Sequence, residues 1–368
     1  MNSGVQIALV AVAAGLACSL AGVFLVLRRL AMVADAISHA VLPGLVAGYV
    51  LANGPNLLFG FLGAVASGLV TVYLVETLSK TRRVTGDTAI GLVFPAMFAL
   101  GVYVITRYFP NLHIDTDAVL YGEIAFAPFD TLVLRGLELG PVSLWVLGGL
   151  GVFNALVLTA VYKELKLATF DAALAATLGF APIVLHYILM SVVAVTTVGA
   201  FSAVGAILAV ALIVVPAVTA SLLTKRLSNL IAISMGIGAG SALAGYGLAS
   251  LWNVSISGMM ATVLGVVFCL ALLFAPAEGF LTQWARLRRQ REEFATDVLL
   301  IHLATHRNTP EEAVESTLLH IERELGWSPD RASQIAVRAE RAGLLQAKRG
   351  SLRLTQEGQT RATQVAAR

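Results

Sequence analysis

The chain has 368 residues, 58% hydrophobic and only 13% charged, with a formal net charge of +3. This composition lies far from the soluble norm and points to a polytopic membrane protein, while so small a net charge gives no case for nucleic acid as a partner. From Arg286 onward there are 14 Lys and Arg and 11 Asp and Glu, more than half of the chain's 47 charged residues in its last 83 positions. A membrane body, 1–285, is therefore expected to precede a soluble tail, 286–368.

Val5 to Leu27 reads as a first span, ended by Arg28-Arg29. It lacks the basic n-region of a signal peptide and many spans follow, so it is expected to be retained. Met32 to Leu51 is the second span and carries Asp35-Ala36-Ile37-Ser38-His39. Asp35 and His39 share one helix face, where a carboxylate oxygen and an imidazole nitrogen can both reach a divalent cation. Ionisable groups inside an apolar run mark a functional site facing a bundle interior, or else a polar pair bracing neighbouring helices. Spacing alone does not choose between the two. Pro43-Gly44 in mid-span predicts a kinked or discontinuous helix.

A turn at Asn53 to Asn56 leads to a third span, Leu57 to Leu78, and a basic loop from Lys80 to Arg83. Ala89 to Thr106 is the fourth span. Tyr108 to Asp130 reads as a long acidic loop with His113, Asp115, Asp117 and Glu123; His113, Asp115 and Asp117 could draw cations to an outer mouth, but a solvated loop is the plainer reading. Pro141 to Tyr162 is the fifth span, and a polar connection from Lys163 to Gly179 follows. Pro182 to Ala200, Val204 to Leu223, Leu230 to Leu251 and Ile256 to Phe274 complete the set. Lys/Arg-rich loops mark the cytoplasm. Nine spans with the N-terminus outside place every basic loop inside; an eight-span alternative merges or demotes a segment within 183–223. Gly236, Gly238, Gly240 and Ala244 suit a close helix interface. Cys18 and Cys269, both in apolar runs, read as small core residues rather than a disulfide or metal pair.

The run VFLVLRRLAMVADAISHAVLPGLVAGYV (23–50) resembles the signature of the permease subunits of zinc/manganese/iron ABC importers. GDTAIGLVF and FALGVYVITR (within 86–107), KELKLATFDAALAATLGF (163–180), HYILMSVVAVTTVGAFSAVGAILAVALIVVPAVTA (186–220) and LLFAPAEG (272–279) resemble later parts of the same family, in the same order, so the likeness covers roughly residues 5–285. It implies an all-α homodimeric permease of eight or nine spans in a bacterial inner membrane. Two ATPase subunits would dock on its cytoplasmic side and an extracytoplasmic metal-binding protein on the other. Asp35 and His39 would line the metal path, four ligands across a dimer axis, and 163–180 would be the ATPase-coupling segment. Phe170, Asp171, Leu174 and Gly179 belong to that segment, where a short amphipathic helix with a carboxylate near its start suits an ATPase groove or, more blandly, a solvated loop. Glu123 departs from the family, which more often has asparagine after the glycine, and His186 matches a family His-Tyr pair as a structural residue. The sequence has no Gly-x-x-x-x-Gly-Lys-Ser/Thr stretch, so ATP hydrolysis is expected in a partner and this chain is not itself an enzyme. Its only metal is the transported divalent ion, with no resident cofactor.

The tail is not part of the usual permease. Phe294 to His306, Pro310 to Leu325 and Pro329 to Ala342, the last capped by Ser328, read as helices. Strands on either side of Lys348-Arg349-Gly350 follow. Three helices and a hairpin resemble the winged helix of metal-dependent repressors. Arg331, Gln334, Arg338 and Arg341 would form its recognition face, but the tail is near neutral, and a cytosolic regulatory or assembly role is preferred to DNA binding. His302, His306 and Glu293 could sense metal, although a surface pair without a ligand is the simpler account. Two rivals to the importer stand: a proton-coupled secondary metal transporter using Asp35 and His39 as a relay, and a membrane-anchored metal-responsive regulator. An intramembrane enzyme is weaker, since there is no His-Glu-x-x-His.

Overall fold

The structure, a computed structural model, describes residues 2–52, 54, 56–81, 83–108, 124–134, 137–276, 278–348 and 350–367. The chain forms two compact units, Met1–Gly279 and Phe280–Arg368. The division falls just after the last long apolar helix, slightly earlier than the change in charge density suggests.

The first unit is a helical bundle. Its elements are α1 (Ser3–Leu27), α2 (Ala31–Leu51), α3 (Leu57–Lys80), α4 (Gly86–Tyr108), a 3-10 turn (Ile124–Phe129), β1 (Thr131–Leu134), β2 (Leu137–Pro141), α5 (Val142–Ala160), α6 (Tyr162–Phe170), α7 (Ala172–Thr177), α8 (Pro182–Val204), α9 (Ala206–Leu223), α10 (Leu227–Trp252) and α11 (Ile256–Phe274). Among the described residues, nine helices are long and apolar enough to cross a membrane: α1–α5 and α8–α11. The segment 183–223 is two helices, parted at Gly205, whose φ of +82° breaks the ladder. Among the described residues this leaves nine candidate spans rather than eight.

The basic loops meet as the charge rule requires. Arg28, after α1, donates from Nε to Thr169 Oγ1 of α6 at 3.0 Å. Glu76 near the end of α3 lies 3.8 Å from His186 at the start of α8. Lys225, after α9, pairs with Glu278, after α11. Each pair joins chain ends that the positive-inside rule assigns to one side.

Helix α1 is the hub, packed against α5, α8, α9 and α10. Its buried face is built from Ala11, Ala14, Gly15, Ala17, Cys18, Ala21 and Gly22. A Cβ on Gly15 would stand 2.6 Å from the carbonyl oxygen of Gly238, and one on Gly22 would overlap that of Ile213. Such close backbone approach is how helices associate where lipid removes the hydrophobic drive. Buried Asn154 of α5 crosses to the same hub, donating to the Ala17 carbonyl at 3.1 Å and to Thr196 Oγ1 at 2.8 Å. On α10 the packed face is Ser234, Gly238, Ser241 and Gly245; Gly236, Gly240 and Ala244 of the expected interface face outward instead. The Gly-rich run held two faces, and only the one in register with Gly15 is used within the chain. Cys269 also faces outward, while Cys18 is buried.

The long loop before α5 contains structure that its polarity hid. The 3-10 turn leads into an antiparallel hairpin, β1 against β2, with a register irregularity after Thr131. The part of that loop holding His113, Asp115, Asp117 and Glu123 lies outside the described residues.

The second unit comprises α12 (Phe280–Thr305), α13 (Glu312–Glu315), α14 (Leu318–Glu324), α15 (Pro329–Arg341), the hairpin β3 (Leu345–Lys348) and β4 (Ser351–Leu354), and α16 (Gln356–Ala366). Its core is Ala295, Leu299, Leu303, Ile321, Ile335, Ala336, Ala339, Leu345 and Leu352. The helix expected over 310–325 is broken at Ser316-Thr317. There Leu352 donates to the Ser316 carbonyl at 2.9 Å, and Thr317 bridges Ser351. Tertiary pairing with the hairpin thus overrides helix propensity. Ser328 occupies the N-cap of α15 but its side chain makes no capping hydrogen bond. The added helix α16 is pinned by Arg361, whose Nε donates to Asp297 at 2.6 Å; that bond raises the guanidinium's pKa above its ordinary value.

Gly22→Ala should lower the stability of the purified protein by about 1–3 kcal/mol, as overpacking does. Gly265→Ala, where a Cβ meets open space, should leave it unchanged. Thermal melting in detergent compares the two, and equal melting would remove the close α1–α9 approach as a determinant of the fold.

Candidate functional site

The turn that launches α2 decides where the ionisable pair stands. At the end of α1, Leu30 N–H bonds to the Leu25 carbonyl at 3.0 Å and Arg29 N–H to that of Val26 at 2.9 Å. This is the paired closure that ends many helices with a left-handed residue. Here that residue is Arg29, at φ +60°, where glycine would be less strained. The reversal is so short that α2 starts at Ala31. At 1.5 Å per residue, Asp35 and His39 stand about 6 Å and about 12 Å along the axis from its start, nearer the basic-loop end.

The expected pairing is present: His39 Nε2 lies 3.6 Å from Asp35 Oδ1. The His39 ring also faces Phe94 of α4, with centroids 5.6 Å apart. The side chains remain 40% and 34% exposed, respectively, for Asp35 and His39. The opposite face of α2 is closed. Gly44 and Gly48 press onto the backbone of α3 at Gly63 and Phe59, and Ser67 Oγ donates to the Ala40 carbonyl at 2.6 Å. The stripe Met32, Asp35, His39 and Leu42 is left open or half-open. Among the described residues no group of three or more His, Cys, Asp or Glu side chains is placed to hold a metal. Among the described residues, then, Asp35 and His39 are joined at this place by no third side chain of those types.

Pro43 does not interrupt α2, which is continuous from Ala31 to Leu51. The packing against α3 holds the helix through it. Proline still has no N–H for the carbonyl four residues earlier, that of His39.

The connection after α5 is helical rather than merely polar. Phe170 ends α6, and Asp171 is the N-cap of α7, accepting from Leu174 N–H at 2.8 Å. The expected helix thus begins at Ala172 instead of Phe170, because Asp171 competes for the backbone and sets the boundary. Phe170 and Leu174 are exposed, and Gly179 closes the segment at φ +87°. The segment is thus two short helices with apolar side chains exposed, at the basic-loop end of the bundle.

Two groups here were underread. Arg28 served only as a topology signal, yet it is half-buried. Burial lowers its pKa, and its Nη2 has no hydrogen-bond partner among the described residues. Its bond to Thr169 joins the base of α2 to the residue two before Asp171. Glu76 was not singled out, although a lone acid inside the third apolar run was a legible signal. It bonds Lys80 at 2.9 Å and faces His186.

Residues 3–275 match the ABC 3 transport family. The chain is 41% identical over 353 residues to the zinc transport system membrane protein TroD of Treponema pallidum, covering 96% of each chain. It is 43% identical over 281 residues to the manganese transport system membrane protein MntD of Bacillus subtilis, covering 76% of this chain and 95% of that one. Its fold resembles the solved structure of PsaBC from Streptococcus pneumoniae in complex with Fab. That match has a TM-score of 0.64 and 26% identity, and covers 77% of this chain and 95% of the other.

Removing the cap with Asp171→Ala should loosen α7 by about 1 kcal/mol, which is about fivefold faster amide hydrogen exchange over 172–177. Global melting should stay in place. Unchanged exchange in that stretch would mean that packing, not Asp171, holds the helix.

Proposed function

This chain belongs to the ABC 3 transport family, and from that premise we propose that it is the permease subunit of an ATP-driven importer of divalent transition-metal ions, manganese or zinc. Asp35 and His39 carry the ion. A second copy of the chain covers the open face of α2 and contributes the same pair. A separate ATPase subunit grips the projection around Asp171, Phe170, Leu174 and Gly179. An extracytoplasmic binding protein delivers the ion from the other side, near the loop holding His113, Asp115 and Asp117.

One observation carries this reading: an ionisable pair, a third or more exposed, on the open face of a membrane-length helix. Left against hydrocarbon, such a pair costs several kcal/mol. It needs a second chain, a water-filled route or both. Oxygen and nitrogen ligands suit Mn²⁺ and Zn²⁺ alike, and two ligands per chain favour a site that lets the ion leave. The names of the two relatives, zinc for one and manganese for the other, support the same range of cargo.

The second unit is proposed as a cytoplasmic winged-helix-like regulatory domain. The MntD match uses 281 residues and nearly all of that chain, which leaves no room there for a unit of this size. The TroD match, by contrast, covers 96% of this chain and so extends through this unit. DNA binding is disfavoured because Arg338 of the would-be recognition helix is paired with Glu292.

The test is isotope uptake into liposomes holding the permease with its ATPase and binding protein. Asp35→Asn with His39→Ala should cut ATP-dependent uptake at least about tenfold while the complex still assembles. Uptake driven by a proton gradient without the ATPase would overturn the ABC reading, and undiminished uptake in the double variant would return the pair to a bracing role. Arg28→Gln should leave ATP hydrolysis in place and lower the ions moved per ATP severalfold, read by measuring both in one sample. An unchanged ratio would remove Arg28 from the coupling route.

A further inference from the structure

We propose that the second unit holds its own divalent-cation site, formed by His302, His306, Glu315 and His320. The assignment stands on the tail's own geometry. Only the identification of its ion with the cargo rests on the transport reading above.

Three of the chain's six histidines gather in this small unit. His302 and His306 lie one turn apart on α12, with ring centroids 4.8 Å apart. His320 of α14 stacks on His302 at 5.9 Å. Glu315, at the end of α13, brings its carboxylate against His306 Nδ1. Four nitrogen- and oxygen-bearing side chains from three helices thus adjoin. The break at Ser316-Thr317, made by pairing with the hairpin, is what turns Glu315 and His320 toward α12. Glu293, the acid that sequence reading grouped with these histidines, instead bonds Arg289 at 2.8 Å. Nor are His302 and His306 a bare surface pair, since His302 is buried at 9% exposure.

The chemistry favours a cation over a protonated cluster. Adjoining imidazoles repel one another when charged, and three of them meet here. Neutral imidazoles keep a lone pair for a metal. His302 Nε2 faces the Glu315 backbone carbonyl at 3.4 Å. A carbonyl can only accept, so Nε2 carries the proton and the lone pair is on Nδ1. Metal-ligating histidines are oriented in this way by a carbonyl behind them. Glu315 is mostly buried, with its Oε2 set against His306 Nδ1. A buried carboxylate needs a positive partner, and a metal ion entering here would supply that charge in place of the imidazole.

In the arrangement described, the contact between His306 and Glu315 fills the middle of the cluster, and no three of these groups converge on one point. Both side chains border a polar cleft of about 720 Å³. A cation entering from that cleft would take the place of the direct contact, with His302 behind it and His320 alongside. Imidazole with one carboxylate suits Zn²⁺, Mn²⁺ or Fe²⁺ and disfavours Ca²⁺ and Mg²⁺.

The experiment is equilibrium dialysis of the tag-free full-length chain in detergent against Zn²⁺ alone, with Co²⁺ absorption as a second readout. Wild type and the Asp35→Asn/His39→Ala variant should both bind an equivalent with histidine-type Co²⁺ bands. His306→Ala, at the accessible edge, should weaken that equivalent at least about tenfold, and His302→Gln with His306→Gln should abolish it. Should the buried double variant fail to fold, His306→Ala and Glu315→Gln decide the matter alone. Undiminished binding and unchanged Co²⁺ bands in those variants would overturn the site. Loss of uptake in the span variant with tail binding intact separates this proposal from the transport reading.

Discussion

A charged pair cannot be left against lipid, and the organisation of α2 follows from that constraint. The helix has two faces with opposite tasks. One is stripped to Gly44 and Gly48 so that the α3 backbone can approach, which fixes the helix without a large side chain. The other carries Asp35 and His39 and is left half-open by its own chain. Glycine packing on one side keeps the position of the other firm even though its ligands have no complete shell. Pro43 fits the same division. Its ring is tolerated because contact with α3, not an unbroken ladder, holds the helix, and it leaves the His39 carbonyl without the usual donor.

The inner ends of the bundle are tied by polar contacts that bundle packing alone would not need. Arg28 sits half-buried, below its ordinary pKa, and spends one nitrogen on Thr169. An arginine pays for such burial only where the geometry is worth fixing, and here it fixes the start of α2 to the end of α6. Two residues further, Asp171 caps α7. A push at Phe170 and Leu174 would therefore reach the base of α2 through the Arg28–Thr169 hydrogen bond and two short helices, the second capped by Asp171. Glu76, Lys80 and His186 make a second tie, between α3 and α8. Since α3 is the helix on which α2 rests, both ties lead to the same element.

Much of this was legible in the sequence, for reasons that can be named. Long apolar runs and basic loops report directly on lipid and on charge, so the nine helices and the shared side of Arg28, Lys80 and Lys225 could be read. The spacing of Asp35 and His39 is a property of any helix, so their meeting could be read as well. What escaped depended on partners distant in sequence. Which of two glycine faces on α10 would pack was set by Gly15, over two hundred residues away. The break at Ser316-Thr317 was set by β4, and with it the move of Glu315 and His320 to α12. The boundary of α7 was missed by two residues because Asp171 was read as a first-turn acid and serves as the cap. Arg28 reads in the sequence only as loop charge, and Glu76, inside an apolar run, has its partner His186 more than a hundred residues away.

The two clusters of side chains proposed to bind ions differ in how many ligands one chain supplies. In the span, one chain offers two ligands on an open face. On the proposed reading, an ion there would be held by half a shell per chain, so that moving two chains apart would release it. In the tail, one chain brings three imidazoles and a mostly buried carboxylate together from three helices, with a backbone carbonyl beside one imidazole. Such a shell does not come apart by separating subunits; it exchanges its ion only as the cleft is entered or left. If the proposed tail site holds an ion, it would suit reporting concentration rather than moving cargo. The same nitrogen and oxygen donors can serve transit in one unit and retention in the other because the number supplied by a single chain, more than their identity, governs how easily the ion departs.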